Sequence, residues 1–232
     1  MSSELPFTFE LWRKFAEYLD NYLVAGRKLK AMPTNAVVYY GKKPDIVIVD
    51  DTGIPQLIIE TKRKSDEGRL EDVYEPLGEA VVAQALCYAA LALKYHNLDR
   101  TPLFVTANRD TIVIFKGIDR EKLEEFVDIE KCKESHVSPE DWTKALKLGA
   151  YSKLLHQGYL LARLEKSLSE DTIKKLFDDH VAKWIIRATI TPTQLHRVLV
   201  DQLRYDIEKL HDEYVEDAVK IKVLKDPQYF KE

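Results

Sequence analysis

Asp45, Glu60 and Lys62 are three ionisable residues at the outer ends of two short apolar runs, in KPDIVIVDDTGIPQLIIETKRK, residues 43 to 64. In a strand alternate side chains share a face, so Glu60 and Lys62 project together. A strand over 45–50, folded back through a turn at Asp50-Asp51-Thr52-Gly53, presents Asp45 beside them. Burying two carboxylates among Val47, Ile48, Ile58 and Ile59 is costly unless something compensates, and a hard divalent cation does so. An ion held by Asp45 and Glu60, with the carbonyl oxygen of Thr61 as a third ligand, would polarise a phosphate and lower the pKa of a bound water. Lys62 would orient or deprotonate that water, or steady the charge that develops on the phosphorus oxygens. The competing reading is an ordinary hairpin with Asp45 and Lys62 as an edge salt bridge. Such a spacing is a frequent accident by itself, so its weight depends on the elements that carry it.

Those elements can be read in order. Leu11, Phe15, Tyr18, Leu19, Tyr22 and Leu23 recur at helical offsets, which predicts an amphipathic helix over 9–25 with Gly26 as its stop. Residues 36–40, AVVYY, read as a β-branched and aromatic strand that precedes the hairpin. Residues 65–78 are polar and loop-like, with Gly68, Pro76 and Gly78. Residues 79–95 are apolar nearly all round and predict a buried helix across the sheet, on which Gln84 and Tyr88 lie one turn apart. Runs at 103–106 and 111–115 around Ala107-Asn108-Arg109-Asp110 read as two further strands. The order α, β, β, β, α, β, β predicts an α/β fold with a central mixed β-sheet flanked by helices.

From about Asp119 the strand signals stop and only helices are expected. Ser138-Pro139-Glu140, Ser169-Glu170-Asp171 and Thr191-Pro192 offer helix starts. The last helix, over 192–220, carries a narrow stripe of Leu195, Leu199, Leu203, Ile207, Leu210, Tyr214 and Ala218 on a charged rod. The expected organisation is a core over 1–118 and a C-terminal helical extension over 119–232. That extension would serve a homodimer, another subunit or a further domain.

Pro44-Asp45 followed by Glu60-Thr61-Lys62 resembles the PD-(D/E)XK signature of the restriction-endonuclease-like nucleases, and the element order resembles their core. The likeness spans about residues 7–118. It implies that Asp45 and Glu60 bind Mg2+, with Mn2+ as a substitute, and that Lys62 assists the attacking water. A glutamine and a tyrosine four residues apart on the following helix mark a subset that includes RecB-type nucleases and the nuclease domains of type I restriction subunits. Gln84 and Tyr88 match that spacing, and TPLFVTANRDTIVIF resembles the closing strand pair of the type I domains. Some members carry a first-helix glutamate at the metal. Glu10 and Glu17 share one flank of helix 1 with Lys14, and Glu17, deeper in the helix, is preferred. The implied activity is metal-dependent hydrolysis of DNA phosphodiester bonds by an endonuclease of a restriction, defence or repair system. A non-catalytic DNA-binding or assembly module that keeps the fold is the alternative. A structural domain with coincidental charges is the third reading.

Composition narrows the choice further. The 232-residue chain has 45% hydrophobic and 32% charged residues and a net charge of −4, so DNA contact has to rest on local patches. One candidate patch runs through Arg27, Lys28, Lys30, Lys42 and Lys43, with no acid between Asn21 and Pro44, and continues at Lys62, Arg63 and Lys64. No apolar run approaches the roughly 20 residues that cross a bilayer, and the N-terminus lacks a secretory pattern, so a cytoplasmic protein is expected. Two cysteines exclude a disulfide scaffold and a four-cysteine iron–sulfur cluster, and Cys87 in the apolar helix reads as a small buried hydrophobe. The six histidines have no metal-ligand spacing, and no glycine-rich phosphate loop is present.

Overall fold

A computed structural model describes residues 4–62, 75–134, 138–189, 207, 210 and 211. The chain divides into a compact unit, Met1–Ile186, and a second unit, Arg187–Glu232. The expected helix over 192–220 and its stripe lie outside the described residues, apart from Ile207, Leu210 and His211, which are helical. Arg63, Lys64 and residues 65–74 of the expected loop lie outside them as well.

The first unit is α/β. Helix α1 (Glu4–Leu19) leads into β1 (Leu23–Val24), β2 (Arg27–Met32), β3 (Ile46–Asp50) and β4 (Pro55–Thr61). Helix α2 (Glu79–His96) then crosses to β5 (Leu103–Ala107) and β6 (Thr111–Phe115). After α3 (Arg120–Leu123), α4 (Ile129–Lys133), a 3-10 helix (Pro139–Ala145) and α5 (Ala150–His156) comes β7 (Leu160–Glu165). Helix α6 (Glu170–Lys174), a π-helical stretch (Lys175–Val181) and α7 (Ala182–Thr189) follow. The seven strands form one sheet in chain order. Every neighbouring pair is antiparallel except β4 and β5, which are parallel because α2 carries the chain back across the sheet.

The sheet separates two apolar layers by strand alternation. On one face Ile46, Ile48, Leu57, Ile59, Val105 and Ile114 pack with Phe7, Leu11 and Phe15 of α1 and Phe177 of the π-helical stretch. On the other, Val47, Ile58, Phe104, Val113 and Phe115 pack with the alanine-rich body of α2. All seven residues of β4 and all five of β5 and β6 are buried, as expected of strands covered on both faces. Thus β3, β4, α2, β5 and β6 lie where the apolar runs placed them.

Four expectations are corrected. Helix α1 ends at Leu19 instead of continuing to residue 25, because the chain doubles back through Ala25 and Gly26, both at positive φ, into the β1–β2 hairpin. The strand before β3 is Arg27–Met32, with Leu29 and Ala31 facing α1; the AVVYY segment is not one. That segment enters a two-residue turn in which Tyr39 and Lys42 exchange backbone hydrogen bonds of 2.9 Å. Residues after Asp119 are not helical throughout. Leu160, Ala162 and Leu164 alternate with more exposed neighbours and add β7 to the edge of β6, so residues up to Ile186 share the compact unit of the sheet. Finally, Cys87 is no isolated hydrophobe. Helix α4 packs on α2 and joins Cys132 to it in a disulfide, with Cα atoms 5.3 Å apart.

Candidate active site

The register of β3 on β4 sets the geometry. Ile46 faces Ile59 and Val47 faces Ile58, which brings Asp45, the residue before β3, to the end of β4 that carries Glu60, Thr61 and Lys62. Val47 and Ile58 lie on the α2 face, and alternation along β4 puts Glu60 and Lys62 on that face too, with the Thr61 side chain on the α1 face beside Thr8. Lys62 is held as a strand residue although β4 ends before it, because its N–H donates to the carbonyl of Ala107 at 2.7 Å. β3 has already ended at Asp45, so the Thr61 N–H that points towards β3 meets no ladder carbonyl. Asp45 Oδ2 accepts that N–H at 2.8 Å and the Thr61 hydroxyl at 2.6 Å. The same hydroxyl lies 2.5 Å from that of Thr8 in α1. Asp45 therefore closes the end of the sheet with one carboxylate oxygen, and Oδ1 takes neither bond. Since N–H and C=O of one strand residue point to the same edge, the Thr61 carbonyl also faces the Asp45 side.

The charges are deeply set. Glu60 is 3% and Lys62 7% exposed, and Lys62 Nζ donates to Glu60 Oε1 at 2.6 Å. Helix α2 covers them with Tyr88, whose hydroxyl accepts a 3.0 Å hydrogen bond from Gln84 Nε2. Burial pushes the Tyr88 phenol well above its ordinary value, and the negative charges of Glu60 and Asp45 push it further, against the opposing Gln84 bond. The phenol is thus a proton-bearing group in the neighbourhood of both carboxylates. Burial also raises the Asp45 carboxyl, against the two Thr61 hydrogen bonds and the Lys62 charge, which lower it. Gln84 Oε1 is buried with no hydrogen-bond partner among the described residues.

The structure brings together Asp45, Glu60, Thr61, Lys62, Gln84 and Tyr88. It does not bring Glu17 to them. Glu17 is solvent-exposed and paired with Arg13 at 3.7 Å, and nine residues of helix, about 13 Å of rise, separate it from Thr8. Glu10 lies nearer, paired at 3.4 Å with Arg109 of the β5–β6 turn, just beyond the Ala107 that holds Lys62. The basic run is also divided. Arg27 is bound to Asp50 at 2.8 Å at the far end of β3, Lys42 donates to the Glu134 carbonyl, and Lys62 is in the buried pair. Sequence reasoning passed over two neighbours of the site. Thr8 carried a signal, since it shares the buried stripe of α1 with Phe7, Leu11 and Phe15. Trp142, packed edge-on against Tyr88 at 5.2 Å, had none, because the 3-10 helix reaches Tyr88 only through the tertiary fold.

Among the described residues two carboxylates, Asp45 and Glu60, and one ammonium, Lys62, gather here, a set that a divalent cation would complement. The donors are all hard oxygens: Asp45 Oδ1, the Glu60 carboxylate and the Thr61 carbonyl. Among the described residues no group of three or more His, Cys, Asp or Glu is assembled for a metal. A pair of carboxylates is what Mg2+ ordinarily uses when substrate phosphate and water complete its shell. The residues therefore fit such an ion. Compared with family models, curated proteins and solved structures, the chain matches none.

Proposed function

We propose that the chain is a Mg2+- or Mn2+-dependent deoxyribonuclease of the PD-(D/E)XK kind, hydrolysing DNA phosphodiester bonds as an endonuclease in restriction, defence or repair. One observation carries the reading: Asp45, bonded to Thr61, and the Glu60–Lys62 pair meet at the end of β4, and both carboxylates act on Tyr88 of α2, which Gln84 holds. The order α1, β2, β3, β4, α2, β5 and the mixed sheet support a restriction-endonuclease-like core.

Each residue has a part in that chemistry. Asp45, Glu60 and the Thr61 carbonyl would hold the ion, which when bound supplies Lewis acidity to a phosphate oxygen and acidifies water. Thr61 fixes the Asp45 carboxylate through two hydrogen bonds, so that Oδ1 is presented in one orientation. Lys62 brings a positive charge to the place where the phosphate accumulates negative charge, and Glu60 anchors its ammonium at 2.6 Å. Tyr88 stays protonated and can donate a hydrogen bond to a phosphate or a water, held by Gln84.

The test is cleavage of labelled linear and circular DNA with Mg2+, Mn2+ or EDTA. Lys62→Ala would remove the ammonium bonded to Glu60 and leave a cavity, so the shape-matched Glu60→Gln and Lys62→Met changes are compared singly and together, beside Asp45→Ala. The expected result is metal-dependent cutting of the circle by the native chain, and at least about 100-fold loss in each variant. The double variant should keep its native melting temperature, since replacing a buried ion pair by matched neutral groups costs little. Metal-independent cutting, or cutting retained by the variants, would remove the proposal. Binding without cutting would favour the non-catalytic module.

A further inference from the structure

The turn between AVVYY and β3 is built with an unsuitable residue. Tyr39 and Lys42 close a two-residue loop through reciprocal backbone hydrogen bonds of 2.9 Å. The central residues, Tyr40 and Gly41, have φ values of 50° and 81°. Such turns select Asn, Asp or Gly at their first position, and a bulky aromatic at positive φ is an outlier. The ring gains little from burial there. Tyr40 is 42% exposed and stands edge to face with Tyr95 of α2, itself 59% exposed, at 6.0 Å. Beneath them Tyr39, 1% exposed, packs against Tyr95 at 5.6 Å and against His96 at 5.7 Å. The pair thus stands on a rigid aromatic floor. Val38, 42% exposed, extends the patch.

Charge distinguishes this patch from a protein-docking surface. Lys133 Nζ lies 4.9 Å over the Tyr40 ring, and Lys43 is exposed two residues beyond Gly41. Lys94 and Lys133 both pair with Glu130, at 2.6 and 2.8 Å. Lys133 over the Tyr40 ring and Lys94 beside it share Glu130, and exposed Lys43 follows in the chain, so the described residues near the rings include several ammonium groups. Part-exposed aromatic rings beside ammonium groups suit a single nucleic-acid strand, whose bases stack on what the rings leave open while its phosphates meet the lysines. Tyr95 follows Tyr88 by seven residues, so it returns to the same flank of α2 about 10 Å on. That is about three nucleotides at 3.4 Å each.

We infer that Tyr40 and Tyr95 form a stacking platform for unpaired bases of DNA, placed two helical turns from the candidate active site on the flank of α2 that bears Tyr88. The inference deepens the nuclease reading by naming the substrate form, a single strand or a single-stranded branch beside the cut. Only the assignment of DNA rests on that reading.

The experiment uses the full chain in EDTA, so that nothing is cut. Fluorescein-labelled oligonucleotides of about 20 nucleotides, single-stranded and duplex, are titrated with wild type, Tyr40→Asn and Tyr95→Ser, and 2-aminopurine reports stacking. Each variant should weaken single-strand binding by about 5- to 100-fold, change duplex binding by less than about twofold, and lose the 2-aminopurine quench. Tyr40→Asn should melt at or above the wild-type temperature, because asparagine suits the left-handed turn position. Unchanged single-strand affinity, equal loss on both DNA forms, or loss of self-association in place of DNA binding would each overturn the platform. Platform loss with intact metal-dependent cutting leaves the nuclease reading standing. Tyrosine-dependent strand binding by a chain that cuts nothing leaves the platform and removes the nuclease.

Discussion

Two aspartates, Asp45 just before β3 and Asp50 at its last position, show how surroundings decide what a carboxylate does. Asp45 has Thr61 on one oxygen only, and burial drives its pKa up. Asp50 is 3% exposed, and burial alone would raise it as well. It accepts from Thr52 N and Oγ1, Ile54 N, Arg27 Nη1 and Gln56 Nε2, between 2.6 and 3.1 Å, and these donors hold it below its ordinary value of 3.8. A depressed carboxyl binds fewer protons folded than unfolded, so its stabilisation is complete above pH 3.8 and is lost as pH falls below that value. Asp50→Asn should cost about 1–3 kcal/mol at neutral pH. In thermal melts from neutral to acid pH, the gap to wild type should stay constant above the ordinary carboxyl pKa and close below it. A gap that does not change with pH would mean that the turn depends on the shape of Asp50 and not its charge.

At the scale of elements, α2 joins the candidate site to the rest of its face. It carries Gln84, Cys87 and Tyr88 within two turns, and the disulfide to Cys132 ties that stretch to α4. Trp142 of the following 3-10 helix then seats against Tyr88. The bond closes a loop of 45 residues, for which chain entropy gives about 4 kcal/mol of stabilisation. Mass spectrometry of the alkylated, unreduced protein should find both cysteines unmodified. Cys132→Ser should lower the melting temperature while the sheet's far-UV signature persists. Full alkylation of the native protein without reductant would mean that the pair is thiol in solution.

For the molecule as a whole, charge is spread thinly. Net charge is −4, and the described part of the basic run does not form one surface. Arg27 is spent on Asp50, Lys62 on Glu60, and Lys28 and Lys30 are exposed on β2. The described residues offer few phosphate contacts at once, so for the proposed DNA binding log K against log salt should have a slope of about −2 to −4, and affinity should fall about 15- to 250-fold between 50 and 200 mM salt. Lys43→Ala should reduce the slope by about one. A slope steeper than about −7 would require a continuous basic face, which the described residues do not assemble. Among those residues, too, no helix is long and apolar enough to cross a membrane.

The sequence by itself determined the elements whose signal is local. The apolar runs of β3 to β6 and the alanine-rich helix α2 were legible because a strand buried on both faces or a helix buried all round must be apolar along its length. That Glu60 neighbours Lys62 and Gln84 neighbours Tyr88 was legible because strand and helix periods fix which side chains share a face. Tertiary structure decided whatever depends on residues distant in the chain. The AVVYY segment has higher strand propensity than RKLKAM, yet the second pairs with β3 because Leu29 and Ala31 fill the layer under α1. β7 is a weak alternating segment that becomes a strand only against the open edge of β6. Whether a first-helix glutamate reaches the hairpin depends on where α1 crosses the sheet. The contact of Thr8 with Thr61 fixes that crossing and leaves Glu17 in solvent. Cys132 meets Cys87 for the same reason, since packing between helices 45 residues apart leaves no trace in local spacing.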